Sequence, residues 1–126
     1  TGTISYSQIS RKNSDRDPEV FEQMFQATVS QFAQQQGILD IPSTWGDLKI
    51  LDATLIKVCL SLFPWAYYRK SVGAVKVHTL VDLASECPEK IVVTDGKVHD
   101  REEMDSFVTK PGITYIFDRG YTDYKE

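Results

Sequence analysis

Cysteine is scarce in this chain of 126 residues: Cys59 and Cys87 stand alone, one in a strand-like run and one before Pro88. With no CxxC spacing, neither zinc ligation nor dithiol redox chemistry has support, and both read as buried or incidental thiols of a reducing compartment. Long apolar runs are also missing. No stretch approaches the roughly 20 residues of a spanning helix, and the N-terminus lacks the charged-then-apolar order of a signal peptide. Excess positive charge is absent too. A net charge of -4 argues against holding nucleic acid by bulk electrostatics, which needs clustered Lys and Arg to neutralise phosphates. What remains is ordinary globular composition, 41% hydrophobic and 25% charged, at the size of one domain. The expectation is a folded cytoplasmic domain with no membrane partner. The chain opens on Thr1 rather than Met and stops where a helix is beginning, so it reads as a fragment.

Residues 1–16 are polar and without period, and are expected to form an arm or linker. Residues 17–46 hold an N-terminal helix and a connection. Asp17-Pro18 supplies a cap followed by proline at the first helical position, and Phe21, Met24, Phe25, Val29 and Phe32 recur at helical spacing. That stripe reads as packing surface. Pro42 and Gly46 mark the connection.

From residue 47 to 126 the pattern changes to strands. Leu48 to Leu60 is apolar on both parities, as expected of a central strand covered on both faces. Asp52 falls in its middle, where a carboxylate needs a cation, a hydrogen-bond donor or a metal. The plain alternative is a salt bridge to Lys76 on the next strand. Phe63-Pro64-Trp65 breaks the run, and Tyr67-Tyr68-Arg69-Lys70 follows as a basic, aromatic loop. Val75 to Asp82 alternates as a half-buried strand that places Lys76 and His78 on one face. Lys90 to Thr94 is a third strand, ended by Asp95-Gly96. Asp100 and Glu103 make a capping-box-like start to a short helix with Met104, Phe107 and Val108 as its stripe, and His99 reads as a local cap or packing residue. Ile113 to Asp118 is a fourth strand, and Thr122 opens another helix.

The order predicts an α/β fold of three antiparallel strands, a helix, and a fourth strand parallel to the first and beside it. Adjacent strands lie about 4.8 Å apart. Carboxylates of Asp52 and Asp118 at matching heights can then span the roughly 3.5–4 Å metal pair of in-line phosphoryl chemistry. Oxygen ligands suit Mg²⁺ or Mn²⁺. Two acids alone leave the site open to a further ligand. Arg69 and Lys70, among Trp65, Tyr67 and Tyr68, mix charge with stacking surface in the way DNA contact requires. A basic hairpin tip kept for solubility is the plain alternative.

Four motifs, in order, resemble the DDE transposases of bacterial insertion sequences, in particular the IS-four-like group. They are Leu51-Asp52-Ala53-Thr54, where the family commonly has Asp-Ser-Thr; Lys76-Val77-His78; Thr94 to Asp100; and Tyr115 to Tyr124, which contains Asp118-Arg119-Gly120-Tyr121. The resemblance implies a ribonuclease-H-like mixed sheet, truncated before the fold is complete. It implies metal-dependent DNA cleavage and strand transfer on double-stranded DNA, by a homodimer in the DNA complex. It makes Asp52 and Asp118 the first two metal-binding catalytic acids. The family's third acid, a Glu on a later helix, lies beyond this sequence, and Glu126 falls outside its pattern. Arg119 is expected to hold phosphate and Tyr121 to pack or hydrogen-bond near the scissile strand, with a structural part in the turn as the alternative for each; Lys76 and His78 are expected near DNA, with a salt bridge to an acid or a solvated face as the alternative. The fragment alone is expected to be inactive. A non-catalytic remnant or interaction module with the same sheet, and a different metal-dependent nuclease, are the competing readings.

Overall fold

The structure is a computed structural model that describes residues 4–35 and 43–122. It divides into two compact units, Thr1–Gln35 and Gln36–Glu126. The expected end of the first long helix at Gly37, the Pro42 part of the connection and the helix expected after Thr122 lie outside the described residues.

The first unit holds two helices, α1 (Tyr6–Ser14) and α2 (Pro18–Gln35). The polar N-terminal stretch, read from sequence as an arm without period, is thus helical over much of its length. Its start signal is local: Ser5 and Gln8 form a capping box, each side chain bonding the other's backbone N–H. With no buried residue, α1 offers no hydrophobic period to detect. In α2, Asp17 Oδ1 accepts from Glu19 N at 3.0 Å ahead of Pro18, as the sequence predicts. Phe25 and Val29 of its stripe are half-buried, whereas Phe21, Met24 and Phe32 are exposed. No helix among the described residues is long and apolar enough to cross a membrane.

Among the described residues, the second unit is an open mixed sheet with one short α-helix. Its elements are β1 (Asp47–Val58), β2 (Tyr67–Arg69), β3 (Val72–Asp82), β4 (Cys87–Asp95), α3 (Asp100–Phe107) and β5 (Ile113–Phe117). β1 pairs antiparallel with β3 from Lys49↔Asp82 to Val58↔Gly73, and β4 and the short β2 both pair antiparallel with β3. β5 lies parallel to β1, from Asp47↔Ile113 to Leu51↔Phe117. The β4–α3–β5 passage is the crossover that lets two strands run in the same direction. The parallel neighbour expected from the element order is therefore present, and β2 is a strand that three residues were too few to announce.

Strand alternation puts Leu51, Ala53, Leu80, His78, Val92, Tyr115 and Phe117 on one face. α3 supplies Met104 and Phe107 to that face, and the core of Leu51, Leu80, Phe107 and Tyr121 forms there. β1 departs from expectation in its far half, where Leu55 and Ile56 are exposed. The run is double-covered only near Leu48 and Leu51, because β5 pairs with no more than its first five residues. Near that start, Lys49 is almost fully buried and ion-paired with Glu89 and Asp82.

Candidate metal and nucleic-acid site

Asp52 and Asp118 each follow the last paired residues of the parallel ladder, Leu51↔Phe117. They therefore stand level on adjacent strands, Asp118 just past the end of β5 and Asp52 within β1, which is the relationship expected from sequence. Asp52 is exposed rather than enclosed, and it makes no hydrogen bond or ion pair among the described residues. The salt bridge to Lys76 does not form. Lys76 Nζ instead reaches Asp100 Oδ1 at 2.9 Å and donates to the carbonyl of Val98 at 2.6 Å.

Asp118 is also exposed, and its position is fixed by the turn it begins. Its Oδ1 accepts from Gly120 N at 2.8 Å, capping a 3₁₀ turn over Arg119–Tyr121. Thr122, expected to open a helix, closes this turn and donates its hydroxyl to the carbonyl of Arg119. Gly120 is needed for close approach: a Cβ there would sit 3.0 Å from Asp118 Oδ1 and 3.1 Å from Asp100 Oδ2. Two carboxylates thus abut the same glycine.

Tyr121 ends the turn inside the core, 1% exposed. Its hydroxyl lies 3.2 Å from His78 Nδ1, and His78 Nε2 lies 3.1 Å from Thr94 Oγ1. A neutral imidazole has one donor and one acceptor nitrogen, so both hydroxyls are satisfied by one tautomer. Burial pulls the His78 pKa below its ordinary value, against the opposing pull of Asp100. The Tyr121 hydroxyl is pushed well above the phenol range, first by burial and then by Asp100, Asp52 and Asp118. All three acids therefore act on one buried hydroxyl.

Asp100 Oδ1 has no donor in hydrogen-bond geometry. Its charge is nonetheless compensated, since Coulomb attraction to Lys76 depends on the 2.9 Å separation and not on the angle. Sequence reasoning gave Asp100 only a capping role, but His99 occupies the N-cap and Asp100 is the first residue of α3. Nothing in its spacing from Asp118 signals that both carboxylates approach Gly120.

His78 and Tyr121 are both enclosed and bonded to each other, which fits a structural part in the turn, the alternative to DNA contact at Tyr121. Lys76 is committed to Asp100. Arg119, Arg69 and Lys70 remain exposed. Lys70 turns the β2–β3 hairpin with φ of 51°.

Asp52 and Asp118 offer hard oxygen donors from neighbouring parallel strands, a ligand type that suits Mg²⁺ or Mn²⁺. Among the described residues no group of three or more His, Cys, Asp or Glu is placed to hold a metal ion. A mixed sheet built through a helical crossover, with Asp118 just past β5 and Asp52 level with it within β1, defines an open α/β class. The comparisons narrow that class. A family model described as "Transposase DDE domain" matches residues 46–126, and the chain belongs to that family. It is also similar to "Putative transposase y4zB" of Sinorhizobium fredii (strain NBRC 101917 / NGR234), at 34% identity over 77 residues. That match covers 61% of this chain and 21% of the relative, so the chain spans about a fifth of the relative's length. No solved structure matches.

Proposed function

We propose that this chain is part of a DNA transposase of the IS-four-like group, and that its sheet is the beginning of a ribonuclease-H-like catalytic core. The observation that carries the reading is the shared height of Asp52 and Asp118 on neighbouring parallel strands, within a family match spanning residues 46–126. In this reading both acids are metal ligands and catalytic residues for DNA strand cleavage and transfer, working on double-stranded transposon ends and target. The protein acts in the bacterial cytoplasm, as a homodimer on DNA.

Bound Mg²⁺ or Mn²⁺ would supply charge stabilisation and water activation for in-line displacement at a phosphodiester. The protein's part is orientation. Asp52 presents a free carboxylate from β1, and Asp118 is held by its bond to Gly120 N, which leaves its second oxygen for a ligand. Arg119, exposed beside Asp118, is suited to a non-bridging phosphate oxygen. The Tyr121–His78–Thr94 chain anchors the turn from below.

The test is Asp52→Asn and Asp118→Asn in the full-length protein. Each is expected to abolish Mg²⁺-dependent strand cleavage while leaving transposon-end binding intact; cleavage that survives either change rejects the assignment. A second reading, a non-catalytic module that keeps the sheet, is favoured by the lack of a three-ligand group among the described residues. It predicts that wild-type full-length protein binds DNA and cuts none.

A further inference from the structure

Between Asp52 and Asp82 the chain contains no Asp or Glu, yet Lys57, Arg69, Lys70 and Lys76 all fall there, in a protein of net charge -4. This run folds as one lobe: the far half of β1, the turn at Pro64–Ala66, β2 and most of β3. The lobe begins at the acid pair. β5 stops pairing with β1 at Leu51, whereas β3 follows β1 to Val58, so β1 carries the sheet onward from Asp52.

The lobe's surface combines rings with cations. Trp65 is 60% exposed and meets Phe63 edge-on, with centroids 6.5 Å apart. Tyr67 is exposed, with Lys97 Nζ 4.2 Å from its ring centre, and the Arg69 guanidinium lies 5.0 Å from that of Tyr68. Protein-binding patches share the enrichment in aromatics and Arg but are depleted in Lys, which this lobe presents at Lys70 and Lys97. Rings that accept stacked bases, interleaved with cations that neutralise phosphates, are what a single nucleic-acid strand requires.

We propose that this lobe is a docking surface for an unpaired DNA strand leading away from the Asp52–Asp118 end of the sheet. Trp65 and Tyr67 stack bases, and Arg69, Lys70 and Lys97 contact phosphates. The assignment of the strand as DNA rests on the transposase reading; the stacking and charge do not.

The test uses full-length protein in EDTA, so that binding is read apart from metal chemistry. Anisotropy is measured on a blunt labelled duplex and on the same duplex with a single-stranded thymidine overhang. Wild type is expected to prefer the overhang. Trp65→Ala should lose about tenfold in affinity for the overhang and little for the blunt duplex, and Trp65→Phe should restore much of it. Arg69→Ala with Lys70→Ala should weaken both and lower the salt slope by about 2. Equal binding of the two DNAs by wild type, or wild-type affinity in both variants, overturns the proposal. So does a Trp65→Ala change that alters self-association and leaves DNA affinity unmoved, since the lobe is then a protein interface. Failure of the transposase reading is distinguishable, because it appears only when Mg²⁺ is added, as cleavage that survives Asp52→Asn or Asp118→Asn or as wild-type protein that binds DNA and cuts none.

Discussion

His78 Nδ1 lies 3.2 Å from the hydroxyl of Tyr121, a bond between two enclosed side chains 43 residues apart in sequence. It ties β3 to the turn that Asp118 caps. Tyr121→Phe removes only that oxygen and leaves a ring nitrogen without its partner. The expected cost is about 1–3 kcal/mol of stability, read as a lower urea midpoint at unchanged slope. An unchanged midpoint would mean the bond contributes nothing.

The same pair sets a pH dependence. Burial holds the His78 pKa below its unfolded value, so the unfolded chain binds the extra proton first. This contribution to stability is complete above the unfolded value of about 6.5 and is lost as pH falls towards the folded one. Urea midpoints should therefore decline on acidification from neutrality, with a shallower decline in His78→Gln. Tyr121, whose pKa is raised, gives the opposite edge: its stabilisation is present below about pH 10 and is lost above it.

The two proposed catalytic acids should differ in structural cost. Asp118 accepts the Gly120 N–H, so Asp118→Ala is expected to destabilise by about 1 kcal/mol. Asp52 is exposed and makes no hydrogen bond or ion pair among the described residues, so Asp52→Ala should stay within about 0.5 kcal/mol of wild type. Thermal denaturation of both variants decides the point. Equal losses would show that Asp52 has a structural partner.

Gly120→Ala should be more damaging than its size suggests. The new methyl would meet Asp118 Oδ1 and Asp100 Oδ2 at about the closest approach that real contacts allow. Both carboxylates must give way by a few tenths of an ångström, and for Asp118 the shift disturbs its bond to Gly120 N. Strand cleavage by the full-length variant should fall even at temperatures where it remains folded. Wild-type cleavage there would show that the position of Asp118 is not critical.

Much of the architecture is present in residue patterns, because those patterns express local physics. Asp17-Pro18 begins α2, alternation marks β3, and a helix between β4 and β5 makes a parallel β1–β5 pair available. These determined that Asp52 and Asp118 stand at one height. What only the tertiary structure decided is how far cover extends and which charges meet. β5 spans only the start of β1, so Asp52 is exposed although its flanking run is apolar on both parities. Lys76 turns to Asp100, which α3 brings over the sheet, and away from Asp52 on the neighbouring strand. Tyr121 is drawn under the turn to His78, a burial that nothing in its own stretch of sequence announces. Each of these outcomes depends on contacts between segments far apart in sequence, where neither periodicity nor spacing carries information.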